Sequence, residues 1–173
     1  MIKYIVVLWL TLPLLAAGCK DDEPEVAPID QLPPATQTGE YTFGCLVNGE
    51  ARVAEATRDI GAIYQAGILQ ISADFNLDPG GQAISIDIYS AIEAGRSYNL
   101  TNPPLEDVFF DWGGGEYPPC RYEPENTLSG TLTITYFDSS NYIVAGTFEF
   151  VTATEGCDTI RVTDGRFDIP YIP

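Results

Sequence analysis

"GTLTITYFDSSNYIVAGTFEFV", residues Gly130 to Val151, decides the fold. Leu132, Ile134 and Tyr136 alternate with Thr131, Thr133 and Thr135. A period of two sends apolar and polar side chains to opposite faces of an extended strand. Asp138-Ser139-Ser140-Asn141 then supplies the short polar residues that stabilise a turn, and Tyr142 to Val151 runs back. The same alternation recurs on either side. Leu69, Ile71, Ala73 and Phe75 alternate with Ile68, Gln70, Ser72 and Asp74, and Ile84, Ile86 and Ile88 alternate with Ser85, Asp87 and Tyr89. Asn48-Gly49 suits a tight hairpin, because both residues tolerate positive φ. Cys157 to Ile169 reads as a last strand, with Gly165 at a bulge or a close strand approach. No stretch keeps a long 3.6-residue stripe. The expectation is an all-β domain, a single antiparallel β-sandwich or flattened barrel of about 8–10 strands over residues 41–173.

The N-terminus carries an address. Lys3 precedes the uncharged apolar run Ile5 to Leu15, and Ala16-Ala17-Gly18 supplies the small residues a signal peptidase needs. The run is too short to cross a ~30 Å hydrocarbon layer as a lasting helix. Cys19 directly after those residues resembles a bacterial lipobox, in which the cysteine is lipidated and becomes the mature N-terminus. Lys20, Asp21, Asp22 and Glu23 resemble the acidic export signal of Bacteroidetes lipoproteins, which directs them to the outer face of the outer membrane. Residues 1–18 are therefore expected to be a lipoprotein signal peptide. Residues 19–40, acidic and rich in proline, are expected to form a disordered tether, since such a segment buries too little apolar surface to offset its ordering entropy.

Charge and cysteine content narrow the partners. The chain has 173 residues, 8 Lys+Arg, 25 Asp+Glu and no histidine. Removing residues 1–18 removes only Lys3, so the mature chain carries 7 − 25 = −18. No basic face is available for nucleic acid or for an anionic membrane surface, which leaves the lipid as the membrane anchor. The expected partners are the membrane, through that lipid, and a glycan or a protein. With Cys19 committed to lipid, Cys45, Cys120 and Cys157 remain. Cys120 and Cys157 each follow a turn at a strand edge and form the favoured disulfide, whereas Cys45 lies within an apolar run and reads as a buried small hydrophobe. Without histidine or a Cys-x-x-Cys pair, no metal site and no cofactor is expected.

The stretch "LPPATQTGEYTFGCLVNGE", residues 32–50, together with "GTLTI" (130–134), "GTFEF" (146–150) and "TDGRFD" (163–168), resembles a family of Bacteroidetes lipoproteins of unknown function. The resemblance covers both ends of the domain and leaves residues 51–119 unmatched. It implies an exported β-domain lipoprotein and supplies no catalytic residues.

No catalytic residue is expected. Histidine, the commonest general base, is absent, and no nucleophile elbow or phosphate loop occurs. Asp164, Arg166 and Asp168 read as weakly paired charges on one strand face. "VFFDWGGGEYPPCRY", Val108 to Tyr122, mixes aromatic rings with carboxylates, and Trp112 and Tyr117 are the candidate ligand loop. The competing reading has those rings capping the core. Two functions follow. One is a surface-exposed outer-membrane lipoprotein acting as a noncatalytic binding or accessory module. The other is a glycan-directed protein, either a carbohydrate-binding module or a weak carboxylate hydrolase.

Overall fold

The computed structural model describes residues 26–54, 57–75, 81–112 and 120–173, with the backbone alone described at Trp112. The period-two segments become eleven strands, one more than the upper end of the sequence expectation. They are β1 (Thr42–Val47), β2 (Glu50–Val53), β3 (Ile60–Gln65), β4 (Ile68–Phe75), β5 (Gln82–Ile88) and β6 (Ser97–Asn99). The chain continues with β7 (Glu106–Trp112), β8 (Cys120–Tyr122), β9 (Thr127–Asp138), β10 (Ile143–Thr152) and β11 (Ile160–Pro170). The six-stranded sheet runs β2-β1-β11-β10-β9-β6, and the five-stranded sheet runs β3-β4-β5-β7-β8. The two antiparallel sheets pack face to face as a sandwich rather than closing into a barrel. Among the described residues no helix is long and apolar enough to cross a membrane.

Turn chemistry fixes the register of the first hairpin. Asn48 and Gly49 adopt φ values of 50° and 87°, and Val47 pairs with Glu50 across them. The inward residues of β4 and β5 are those the alternation marks: Leu69, Ile71, Ala73 and Phe75, with Ile84, Ile86 and Ile88, are all buried. From the other sheet Phe43, Phe148, Phe150 and Phe167 meet them, and Phe43 lies 5.1 Å from Phe148 and 6.0 Å from Phe75 between ring centroids. Beyond β11 the chain crosses to the second sheet, where the Ile172 N–H donates to the Ala62 carbonyl at 2.9 Å and the Ile172 carbonyl accepts from the Tyr64 N–H at 2.8 Å. That short parallel pairing covers the otherwise open edge of β3.

Two bulges change which side chains face inward. In β9 the register skips Thr135, so Ile134 pairs with Gly146 and Tyr136 with Ala145. Phe137, not Tyr136, therefore packs against the core, stacked 5.4 Å from Tyr171. In β11 the pairing with β10 jumps from Gly165 to Val162, and Asp164 takes φ 55°. Gly165 is required here, because a Cβ would lie 2.6 Å from the Phe148 ring and the Phe148 carbonyl oxygen.

The tether expectation is corrected for residues 26–40, which lie against the domain. Pro28–Gln31 forms a 3-10 turn, Leu32 is buried, and Pro33 sits where a Cβ on Gly44 would be 2.7 Å from its ring. Thr36 to Glu40 then cross β11 by hydrogen bonding to Asp168, and Gly39 packs beside Ile143 and Pro170. The physical reason is a buried carboxylate on the outer face of a distant strand, which no local composition reveals. Cys19, Lys20, Asp21, Asp22 and Glu23 lie outside the described residues.

Cys120, on edge strand β8 of one sheet, is disulfide-bonded to Cys157, in the loop that precedes β11 of the other. The Tyr122 hydroxyl donates to the Asp158 carbonyl at 2.7 Å and ties the same corner. Cys45 is free and wholly buried, and burial pushes its thiol up to about 12 against the opposing pull of Arg52. Such a thiol carries almost no thiolate at neutral pH and is chemically inert.

Candidate functional site

The outer face of the six-stranded sheet holds two adjoining grooves, of about 500 Å³ and about 180 Å³. The larger falls within the range of about 300–1,000 Å³ common for small-ligand sites. Strand alternation builds it. With Leu132, Ile134, Phe148 and Phe150 turned inward, Thr131 and Thr133 of β9 and Thr147 and Glu149 of β10 must face outward. Thr133 pairs with Thr147, Thr147 with Arg166, and Thr131 with Glu149, so the polar groups form cross-strand rows. At one end the Ser97 and Thr133 hydroxyls are hydrogen-bonded at 2.8 Å. Ala35 of the docked N-terminal strap closes one wall.

The β11 bulge decides the electrostatics. Arg161 and Arg166 are five residues apart, which in a regular strand puts them on opposite faces. The extra residue at Asp164 restores the phase, and Arg166 lines the larger groove and Arg161 the smaller. Glu149 and Asp164 are the two carboxylates beside them, so the lining is neutral on a chain of net charge −17.

Asp168 stands behind the strap. Its Oδ2 accepts from the Thr36 hydroxyl at 2.7 Å and from the Thr38 and Glu40 N–H groups at 2.9 and 3.3 Å, and its Oδ1 accepts from the Gly39 N–H at 2.8 Å. Burial pushes its pKa up, but the four donors outweigh burial and hold it below the ordinary carboxylate value. The expected face of paired charges is thus corrected. Asp168 is wholly buried, Asp164 is exposed, and Arg166 donates through Nε to the Asp164 backbone carbonyl rather than to a carboxylate. Sequence reasoning read Thr131, Thr133 and Thr135 as a wet strand face only. The available signal for a site was the matching row of Thr147 and Glu149 on the next strand.

The aromatic stretch divides between the two faces of β7. Val108 and Phe110 are buried, and Tyr122 joins Phe110 at 5.8 Å, so part of the stretch is core. Phe109 points outward, with the Arg121 guanidinium 4.4 Å from its ring centroid. Trp112 is placed by its backbone alone, opposite Gln82 and Cys120, and Tyr117 lies outside the described residues. On this outer face Asp87 of β5 directly opposes Asp107 of β7. Burial first, then the charges of Asp87 and Glu125, push Asp107 up to about 6, and burial raises Asp87. Neither groove described above reaches this pair.

Comparison with family models, with curated proteins and with solved structures returned no match.

Proposed function

We propose that this chain is a surface-exposed outer-membrane lipoprotein of the Bacteroidetes type, anchored through Cys19, and that it acts as a noncatalytic binding module. The ligand site in this reading is the groove across β9, β10 and β11. The observation that supports it is a neutral, hydroxyl-lined concavity on an otherwise strongly acidic chain. A rigid sheet face that presents rows of donors and acceptors suits recognition, since the side chains are held by the strands beneath them. The glycan-directed alternative acquires its own support from those hydroxyl rows, and a carboxylate hydrolase in this groove would have to use Glu149 and Asp164, the two acids that line it.

Expression in a Bacteroidetes host tests the address. Cys19→Ala should leave a longer, unprocessed precursor without lipid label. Replacing Lys20, Asp21, Asp22 and Glu23 with alanines should keep the lipid but hide the protein from protease added to whole cells. Normal lipid labelling of Cys19→Ala, or unchanged shaving of the alanine variant, would refute the anchor and the display signal respectively.

A further inference from the structure

We infer that the groove takes a carboxylate-bearing oligosaccharide, a chain of acidic sugars held by Arg161 and Arg166. The inference rests on the groove being the ligand site. The chain is short of cations, and four of the six arginines among the described residues are committed. Arg52 pairs with Glu50 at 2.7 Å, Arg58 with Asp59 at 3.4 Å, Arg96 with Glu93 at 3.7 Å, and Arg121 with Glu123 at 3.0 Å. Among the described residues, Arg161 and Arg166 alone of the arginines have no carboxylate within 4.0 Å, and both line the grooves. Asp164 lies between them in sequence and Glu149 lies on the next strand, yet neither is paired with them.

A guanidinium with no carboxylate partner keeps donors free for a carboxylate from outside, and Arg166 spends only its Nε, on the Asp164 carbonyl at 3.3 Å. Strand pairing sets their separation. Arg161 opposes Val151 and Arg166 opposes Thr147, four residues along β10, which is roughly 13 Å at ~3.3 Å per residue. A single small acid does not span that distance, whereas an oligosaccharide does. Between the two arginines lie Thr131, Thr163 and Glu149, and Thr147 stands beside Arg166; the threonine hydroxyls donate and accept, and Glu149 accepts only. That set matches sugar hydroxyls, which both donate and accept. Among the described residues the aromatic ones that line the grooves are Phe148 and Phe150, both buried, so recognition here proceeds by hydrogen bonds and charge rather than by ring stacking. The net negative chain repels anions at long range, so the arginines select by contact and not by steering.

The test is calorimetric titration of the mature lipoprotein in detergent with oligogalacturonate, with its methyl ester, and with a poly-glutamate peptide. Oligogalacturonate should bind, and esterification, which removes the charge and keeps the ring hydroxyls, should weaken it about tenfold or more. Arg161→Gln and Arg166→Gln should each cost a similar factor, and Thr147→Tyr, which fills the groove, should abolish binding. Unchanged melting temperatures of the two arginine variants would show that the loss is one of contact. Equal binding of acid and ester, both lost in Thr147→Tyr, would overturn the acidic-sugar inference while the groove stands. Stronger binding of poly-glutamate would overturn it in favour of an acidic protein. Binding that survives Thr147→Tyr would overturn both the inference and the groove.

Discussion

On the outer face of the six-stranded sheet one carboxylate, Asp168, is wholly buried and stays ionised. On the outer face of the five-stranded sheet two part-exposed carboxylates, Asp87 and Asp107, oppose each other and are pushed towards their protonated forms. Burial penalises both sites. The difference lies in what surrounds the oxygens. Asp168 has three backbone N–H groups and a hydroxyl aimed at it, whereas Asp107 faces a second negative charge. At Asp168 the four donors outweigh burial, whereas at Asp87 the side-chain donors Gln70, Tyr89 and Ser85 do not. The two faces differ accordingly: the first has a strap laid over it and a groove beside it, and the second opposes two acids that burial, and at Asp107 the facing charge, push up.

Removing the buried acid should have the largest effect. Asp168→Ala leaves the strap without its acceptor and should lower stability by roughly 3 kcal/mol, since each hydrogen bond to a charged group contributes about 1.5–3 kcal/mol and the four act as a unit. Denaturant melts and proteolytic clipping of residues 26–40 report it. An unaltered midpoint with a protected strap would break the comparison. The sign with pH follows. Because Asp168 is held below its ordinary value of 3.8, its contribution is complete above that pH and is lost as pH falls through the lowered value.

Gly165→Ala should come next, at roughly 1–3 kcal/mol, as the added methyl drives into Phe148 from below the groove. It sharpens the comparison, because a shift in the bulge also moves Arg166 relative to Arg161. Ligand affinity should fall together with stability, and a variant that melts earlier but binds normally would separate the bulge from the site.

Asp107→Asn should have the smallest effect and the opposite sign. A raised carboxylate binds its proton more tightly in the folded state, so the native protein gains stability as pH falls from about 6 towards 3.8 and lacks that gain at neutral pH. The asparagine variant should be more stable at neutral pH by ~1 kcal/mol, after solvent screening of this part-exposed pair, and should lose that pH dependence. A less stable variant at neutral pH would mean that Asp107 has found a partner the repulsion account omits.

Much of the fold was legible because alternation and turn chemistry act locally. Leu69, Ile71, Ala73 and Phe75 announce their own inward face, and Asn48-Gly49 announces its own hairpin. The disulfide corner was legible from two cysteines placed after turns. What escaped depended on residues far apart in sequence. Asp168 and Thr36 are separated by 132 positions, so neither the strap nor the buried acid has a local signature. Phase was lost at the bulges: at Thr135 the inward side chain becomes Phe137, and at Asp164 two arginines five apart come to share a face. The groove was hidden for the same reason, being a property of three strands at once.

The strap also sets a length. With the lipid on Cys19 that we propose, a wholly free chain from Cys19 to Tyr41 reaches at most about 80 Å, at up to ~3.6 Å per residue. Docking residues 26–40 leaves seven steps from Cys19 to Val26, a reach of about 25 Å. A long leash becomes a short one, and the groove is confined close to the bilayer. An extended polymer would then be gripped next to the lipid surface rather than out in the medium. Acid that protonates Asp168 would free the strap and roughly triple the radius the domain can search.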